Sequence, residues 1–198
     1  MDKYAYPLMD KFEAAGLKVV GYGGGAMRGI STIAIGMRYQ GYPSVDQCRS
    51  LALALANQAM ADAEGNTELE RNVDGPPFGL RHLQMIVSFE GEDQSHPEGF
   101  VTSIGVSSVV NYYLTQNDHA PLRVLHFEEV ALLKDNIPHV SVQEALRAIP
   151  KTRAEASPPI WNQDTNLEEI SGDAWDDEGI YYRNPKYHLI FASSTPSG

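Results

Sequence analysis

The chain has 198 residues, of which 42% are apolar and 21% charged, and its formal net charge is −11. This profile predicts one substantial core, and the acidic balance favours basic partners while disfavouring nucleic acids and anionic membranes. The single cysteine excludes an internal disulfide, and no apolar run is long enough for a membrane helix. The N-terminal sequence shows no secretion signal, so we expect a cytoplasmic protein, with secretion by another route left open.

The first predicted element is an amphipathic helix over residues 3–15, whose apolar side chains recur at spacings of three and four. Gly16 is well placed to end this helix. Proline is tolerated only in the first turn of a helix, so Pro7 indicates that the helix begins near Tyr6. A short strand is expected over residues 17–22.

Residues 21–29 contain five glycines in nine positions. A dinucleotide-binding fingerprint requires a helix after the glycines, and a P-loop requires a closing Lys-Ser/Thr pair; neither follows. The segment is therefore predicted to be a glycine-rich hairpin loop, with two interpretations left open. It is either a turn with bulges or a nest of backbone N–H groups that binds a small molecule or phosphate. The second interpretation assigns ligand binding to Gly23, Gly24, Gly25 and Arg28.

Period-two alternation predicts a strand over residues 30–39. A capping box of Ser44 and Gln47 then opens the best helix of the chain, which is expected to end near Glu64. A connection is predicted over residues 66–80. Further strands are predicted over residues 82–90, 100–106, 109–115 and 122–127, the second and third being either two strands or one bent strand. A second capping box, formed by Ser141 and Glu144, opens a short helix that ends at Ile149.

No catalytic or metal-binding constellation stands out. The six histidines form no metal-ligand spacing, and His126 with Glu128 on one strand face is more typical of a solvated edge. Cys48 lies in an apolar helical pattern and is expected to be a small buried hydrophobe rather than a reactive thiol. No GxSxG motif is present. We predict no cofactor and no metal ion, and the sequence favours a protein without enzymatic activity.

Composition changes near residue 150, which predicts a core domain over residues 1–150 and an acidic C-terminal extension over residues 151–198. Disordered tails are usually poor in aromatic residues, so the aromatic residues of this one indicate packing or binding. The extension is interpreted as a segment that packs back on the core, or as a detachable binding segment or export signal. Its candidate partner-binding residues are Trp161, Trp175, Tyr181 and Tyr182.

The order of these pieces resembles a small group of uncharacterised bacterial proteins found in chlamydiae and other intracellular bacteria. The similarity covers about residues 4–149. It rests on Pro7-Leu8-Met9, Gly16-Leu17, the glycine run with its following strand, the long helix, Pro77-Phe78 and Glu144-Ala145-Leu146. That group has no established activity, so the resemblance implies no catalytic residue.

The sequence therefore predicts an α+β fold, in which one long helix packs across a face of an antiparallel sheet, with shorter N-terminal and late helices. The favoured function is a non-enzymatic protein-binding module, such as an adaptor, a chaperone-like protein or a secreted bacterial effector. The alternative is a protein or enzyme that binds a small molecule or phosphate on the glycine-rich loop. A homo-oligomer is expected if the edge strand over residues 109–115 is uncovered.

Overall fold

The computed structural model describes residues 2–26, 29–94, 100–114 and 140–156. Its elements follow in the order α1 Asp2–Ala15, β1 Lys18–Ala26, β2 Ile30–Gln40, α2 Val45–Ala63, α3 Thr67–Asn72, β3 Leu83–Glu90, β4 Val101–Val106, β5 Val110–Leu114 and α4 Val142–Arg147. The chain divides into two units, Met1–Ile160 and Trp161–Gly198, and every described residue lies in the first. The predicted domain boundary at residue 150 stays a prediction.

The five strands form one mixed sheet in the order β1-β2-β3-β4-β5, which confirms the α+β class. Three neighbouring pairs are antiparallel, but β2 and β3 are parallel. The prediction of a purely antiparallel sheet is therefore wrong at this pair. The reason is the connection: a crossover that contains α2 and α3 returns the chain to the same end of the sheet, so β3 starts where β2 started.

Helix α1 begins at Asp2, so the prediction that it starts near Tyr6 is wrong, and Pro7 lies inside the helix. One face of α1 is buried, and burial of an apolar face can outweigh the single hydrogen bond that proline removes. The buried residues are Tyr4, Ala5, Leu8, Met9 and Phe12. The helix ends at Gly16 as predicted, with a φ of +112° and a hydrogen bond of 3.0 Å from the Leu17 N–H to the Phe12 carbonyl.

The core lies between the helices and one face of the sheet. Alternate residues of β2 and β3 point into it, as the period-two pattern predicts. They include Ile33, Ile35, Met37, Leu83, Met85, Val87 and Phe89, each exposed by 1% or less. Helix α2 lies against β4 and β5 and contacts α1 and α4. Its predicted capping box is present, because the Gln47 N–H donates to Ser44 Oγ and the Ser44 N–H donates to Gln47 Oε1.

The C-terminal part of the described chain is tied to the end of β2. The capping box of Ser141 opens α4 as predicted. Beyond the helix, the Tyr42 N–H donates to the Pro150 carbonyl at 2.9 Å, and Lys151 Nζ donates to the Gln40 carbonyl at 3.0 Å. The strand predicted over residues 122–127 lies outside the described residues. None of the described helices is long and apolar enough to cross a membrane.

Candidate functional site

The glycines of residues 21–25 lie in strand β1, so the prediction of a glycine-rich hairpin loop is wrong for them. Gly23 pairs with Ala34, and Gly24 pairs with Ile33. Glycine has a low strand propensity, but the ladder to β2 satisfies its backbone and holds it extended. Successive N–H groups of a strand point in opposite directions, so this backbone does not form the concave nest that an anion site requires. Arg28 lies outside the described residues, and the ligand-binding assignment of Gly23, Gly24, Gly25 and Arg28 stays a prediction.

The outer side of β1 is exposed. β1 is the first strand of the sheet, and no other described strand pairs with its outer side. None of its nine residues is buried. Pairing with β2 is regular from Gly21 to Gly25 and is interrupted only on either side of this stretch. We call the outer side of residues 21–25 the β1 edge; every second residue of such an edge presents its N–H and C=O outward.

The fold explains some glycines of this run but not others. At Gly29 a Cβ atom would lie 2.8 Å from the Asn72 carbonyl oxygen, so only glycine permits the close approach of the two backbones. At Gly21 and Gly23 a Cβ atom would meet no described atom within 4 Å, and neither residue has a positive φ. Glycine inside a strand destabilises it by about 0.5–1 kcal/mol relative to alanine. Nothing in the described fold requires glycine, rather than a residue with a side chain, at positions 21 and 23.

Exposed hydrophobic side chains gather at the β1 edge. Of the four large exposed hydrophobic residues in the described part of the chain, Tyr6, Val20 and Tyr22 lie on β1 or against it, and the fourth is Ile86. The rings of Tyr6 and Tyr22 have centroids 5.1 Å apart, and their hydroxyl oxygens are 2.6 Å apart. The hydrogen bond between the two hydroxyls, followed by desolvation and the charge of Asp2, raises the pKa of Tyr22 to about 12.

The β1 edge lies between two different surfaces. Tyr22 pairs with Ile35, a core residue, and its ring contacts Tyr6 of α1, so Tyr22 is on the helix-covered face. Val20 is on the opposite face, where its Cγ2 atom lies 3.5 Å from the position that a Cβ atom of Gly36 would occupy. A strand added to the β1 edge would therefore have α1 on one side and Val20 on the other.

Two lysines of α1 form ion pairs with neighbouring helices. On the flank that meets α2 and α3, Lys3 pairs with Glu68 at 2.9 Å and Lys11 pairs with Asp62. The Lys3 ammonium lowers the pKa of the Glu68 carboxyl. At about 100° of rotation per residue, Asp2 and Glu13 lie within about 40° of Tyr6 around the axis of α1, whereas Asp10 lies about 20° from Lys3.

The other residues with chemical potential in the described segments have structural roles. Cys48 is fully buried, and burial raises the pKa of its thiol well above the usual value, as expected for a small core residue. His82 is 3% exposed; its Nδ1 accepts from the Gly79 N–H at 3.1 Å, and its Nε2 lies 3.0 Å from the Asp74 carbonyl oxygen. Among residues 2–26, 29–94, 100–114 and 140–156, no group of His, Cys, Asp or Glu side chains is arranged to hold a metal ion.

The predicted partner-binding residues belong to the C-terminal extension. Trp161, Trp175, Tyr181 and Tyr182 lie outside the described residues, as does the pair formed by His126 and Glu128. Strand β5, which corresponds to the predicted edge strand over residues 109–115, forms the far edge of the sheet, and the chain directly after it is not described. The oligomer predicted from that edge stays a prediction.

Comparison of the chain with protein-family models, with curated proteins and with solved structures finds no match. The resemblance to proteins of intracellular bacteria stays a prediction. The β1 edge could not be found from the sequence, because glycine hides the strand pattern of residues 21–26. The exposed Val20 was also indistinguishable from a core residue before the strand was placed.

Proposed function

We propose that the protein is a non-enzymatic protein-binding module that takes an extended segment of a partner protein along the β1 edge. The exposed outer side of β1 carries this proposal, since its outward backbone groups are the template for an added strand. Glycine at Gly21 and Gly23 leaves that backbone uncovered on the face opposite the helices. The exposed Tyr6, Val20 and Tyr22 add apolar contact area beside it.

The proposal agrees with the rest of the described chain. Cys48 and His82, the two residues there that most resemble catalytic groups, are both buried and serve packing or loop structure. An adaptor, a chaperone-like protein and an effector of an intracellular bacterium all require a surface that captures another chain. The β1 edge would supply this surface in each of the three roles.

A display library of random twelve-residue peptides, panned against the full chain, tests the proposal. We expect enriched peptides to alternate in side-chain character with a period of two and to protect amides of Lys18–Ala26 from hydrogen exchange when they bind. The variants Gly23→Pro and Gly24→Pro provide the structural control. Along β1, N–H groups that point away from β2 alternate with N–H groups that bond to β2. One of the two prolines therefore removes a donor from the β1 edge, and the other breaks a hydrogen bond to β2.

The variant that keeps the thermal stability of the parent is the probe of the edge, and it should lose at least tenfold of the peptide enrichment. The proposal is overturned if no peptide is enriched, or if enriched peptides bind that variant as well as the parent. If both proline variants lose stability, Val20→Lys replaces them, because it adds a charge at an exposed position beside the edge without removing a backbone donor.

A further inference from the structure

We propose that residues 74–82 form an acid-sensitive clasp, which His82 holds closed at neutral pH and releases when its imidazole takes up a proton. We call residues 74–82 the clasp loop. It lies between α3 and β3 and ends in a single 3₁₀ turn, Leu80–His82. The clasp loop is bonded to the end of the β1–β2 hairpin. This inference goes beyond the proposed function and does not depend on it.

Both ring nitrogens of His82 are bonded within the clasp loop. Its Nδ1 accepts from the Gly79 N–H at 3.1 Å, so this nitrogen carries no proton and the imidazole is neutral. The ring proton is therefore on Nε2, which donates to the Asp74 carbonyl oxygen at 3.0 Å. The imidazole thus joins the first residue of the clasp loop to the turn that precedes β3.

Protonation of Nδ1 would turn the first of these bonds into a repulsive contact. An imidazolium carries a donor on each nitrogen, so the Gly79 N–H would face another N–H group. His82 is 3% exposed, and it forms no ion pair with a carboxylate of the described residues. A buried charge without a partner is unfavourable, whereas an open loop exposes the ring to water. Acid therefore favours the open loop.

The charged groups of the clasp loop and of α3 give His82 no bonded counter-ion. The Glu70 carboxylate of α3 accepts the Phe78 N–H at 3.1 and 3.2 Å, and Asp74 is an exposed residue. The Arg81 guanidinium donates to carbonyls of the clasp loop, and its positive charge opposes a second one there. A carboxylate also takes up a proton in acid, so the test has to separate Glu70 from His82.

Aromatic rings fill the space beside the imidazole. Phe78 is 5% exposed; its ring stacks on His82 with centroids 5.5 Å apart and meets the Tyr4 ring of α1 edge-on at 5.4 Å. Burial raises the pKa of the Tyr4 phenol, so this group stays uncharged in acid. Strand β2, which also contacts the 3₁₀ turn, has no ionisable side chain before Arg38. A phenyl ring attracts a cation only weakly, so the hydrogen bonds of the ring nitrogens decide the response.

The clasp loop reaches the hairpin through Asp74. The Asp74 N–H donates to the Ile30 carbonyl at 3.0 Å, and Val73 forms a parallel bridge with Ile30. Ile30 is the first residue of β2 and pairs with Ala26, the last residue of β1. Two hydrogen bonds therefore connect the imidazole to the end of the hairpin, and proton uptake by the clasp acts on the strand that carries the β1 edge.

Amide hydrogen exchange of the full chain, followed by NMR at about pH 7.5 and about pH 5.5, tests the clasp. An imidazole in water has a pKa of about 6.5, so the open fraction rises about tenfold over this range if only the open loop takes up the proton. We expect the protection factors of the Gly79 and Asp74 amides to fall by about that factor. Those of Met85 and Val87 in β3 should change by less than about twofold, because opening of the clasp loop leaves the sheet paired.

Two variants identify the group that takes up the proton. In His82→Asn the amide oxygen stands near the former place of Nδ1, so it accepts the Gly79 N–H but does not titrate. The protection factor of the Gly79 amide should then differ by less than about twofold between the two pH values. The matched control is Glu70→Gln, which keeps an acceptor for the Phe78 N–H and removes the other titrating group. This control should show the same fall as the parent.

Four results would overturn the inference. They are an unchanged Gly79 protection factor in the parent, a fall that persists in His82→Asn, a fall that disappears in Glu70→Gln, and an equal fall at Met85 and Val87, which would indicate global destabilisation. If His82→Asn does not fold, the ¹⁵N signals of the parent imidazole replace it. They should show the proton on Nε2 and none on Nδ1 at neutral pH, and a proton on Nδ1 would overturn the inference as well.

Discussion

Strands β1 and β2 pair with each other along most of their length, yet their surroundings differ. Along β2, buried and accessible residues alternate, and Ile33, Ile35 and Met37 point into the core. Along β1 no residue is buried, and at Gly21 and Gly23 glycine stands where the fold leaves room for a side chain. The same ladder of backbone hydrogen bonds joins the two strands, so backbone pairing alone does not explain which residues occur in β1.

The packed interior constrains the side chains of β2 more than those of β1. Core contacts limit which side chains β2 can carry, because a change in its buried side chains disturbs the helices packed against them. β1 has few such contacts, so its glycines and exposed aromatic and aliphatic residues reflect either chance or a partner. The predictions below distinguish these possibilities by asking where along the hairpin the fold responds to substitution.

The largest expected difference is between Ile35→Ala on β2 and Val20→Ala on β1. Ile35 is 1% exposed, and its truncation should lower the free energy of unfolding by about 3 kcal/mol, because the core loses apolar contacts and gains a cavity. Val20 is 49% exposed, so its truncation should change the same quantity by less than about 0.5 kcal/mol. Urea unfolding of both variants measures these values. Similar losses in the two variants would contradict the division between the strands.

A second difference is expected inside the glycine run itself. Gly29→Ala should destabilise the protein by about 2 kcal/mol, because the new Cβ atom would clash with the backbone of Asn72. Gly23→Ala should stabilise it by about 0.5–1 kcal/mol, since the added methyl group enters open space and the unfolded chain loses freedom. Thermal unfolding of the two variants gives the signs. A loss of stability in Gly23→Ala would mean that the fold, and not a partner, requires glycine there.

Much of the fold could be predicted from the sequence where periodicity was strong. The alternation in β2 and β3 and the capping boxes at Ser44 and Ser141 place elements to within a residue or two. Besides the orientation of β3 and the start of α1, two features were mispredicted for physical reasons. The glycines before Ala26 have no side-chain pattern, so only the ladder to β2 identifies them as a strand. Helix α3 was missed because its six residues bury only Leu69.

The candidate site was less accessible to prediction than the fold. The ion pairs of Lys3 and Lys11 could not be predicted, because sequence spacing alone does not say which side of α1 faces α2. Tyr6 and Tyr22 are separated by fifteen positions that contain the rest of α1, and their contact depends on the turn at Gly16. A surface formed by two elements has no local sequence pattern.

The smallest expected effect concerns the two tyrosines on neighbouring strands. Tyr22 on β1 owes its pKa of about 12 first to the hydrogen bond with Tyr6, whereas burial raises the pKa of Tyr39 on β2. Tyr6→Phe should therefore lower the pKa of Tyr22 towards 10 and leave that of Tyr39 unchanged. An alkaline titration followed by NMR of ¹³Cζ-labelled tyrosine measures both groups in one experiment.

The raised pKa of Tyr22 also makes the free energy of unfolding fall as the pH rises above 10. The unfolded phenol ionises near pH 10, and folded Tyr22 holds its proton to about pH 12. Its contribution to stability is thus complete below pH 10 and is lost as the pH rises to 12. Tyr6→Phe should remove the part of this pH dependence that arises from Tyr22, which a difference between parent and variant unfolding curves over that range detects. An unchanged pKa of Tyr22 in Tyr6→Phe would mean that burial at the β1 edge causes the shift, and would argue that the edge is covered.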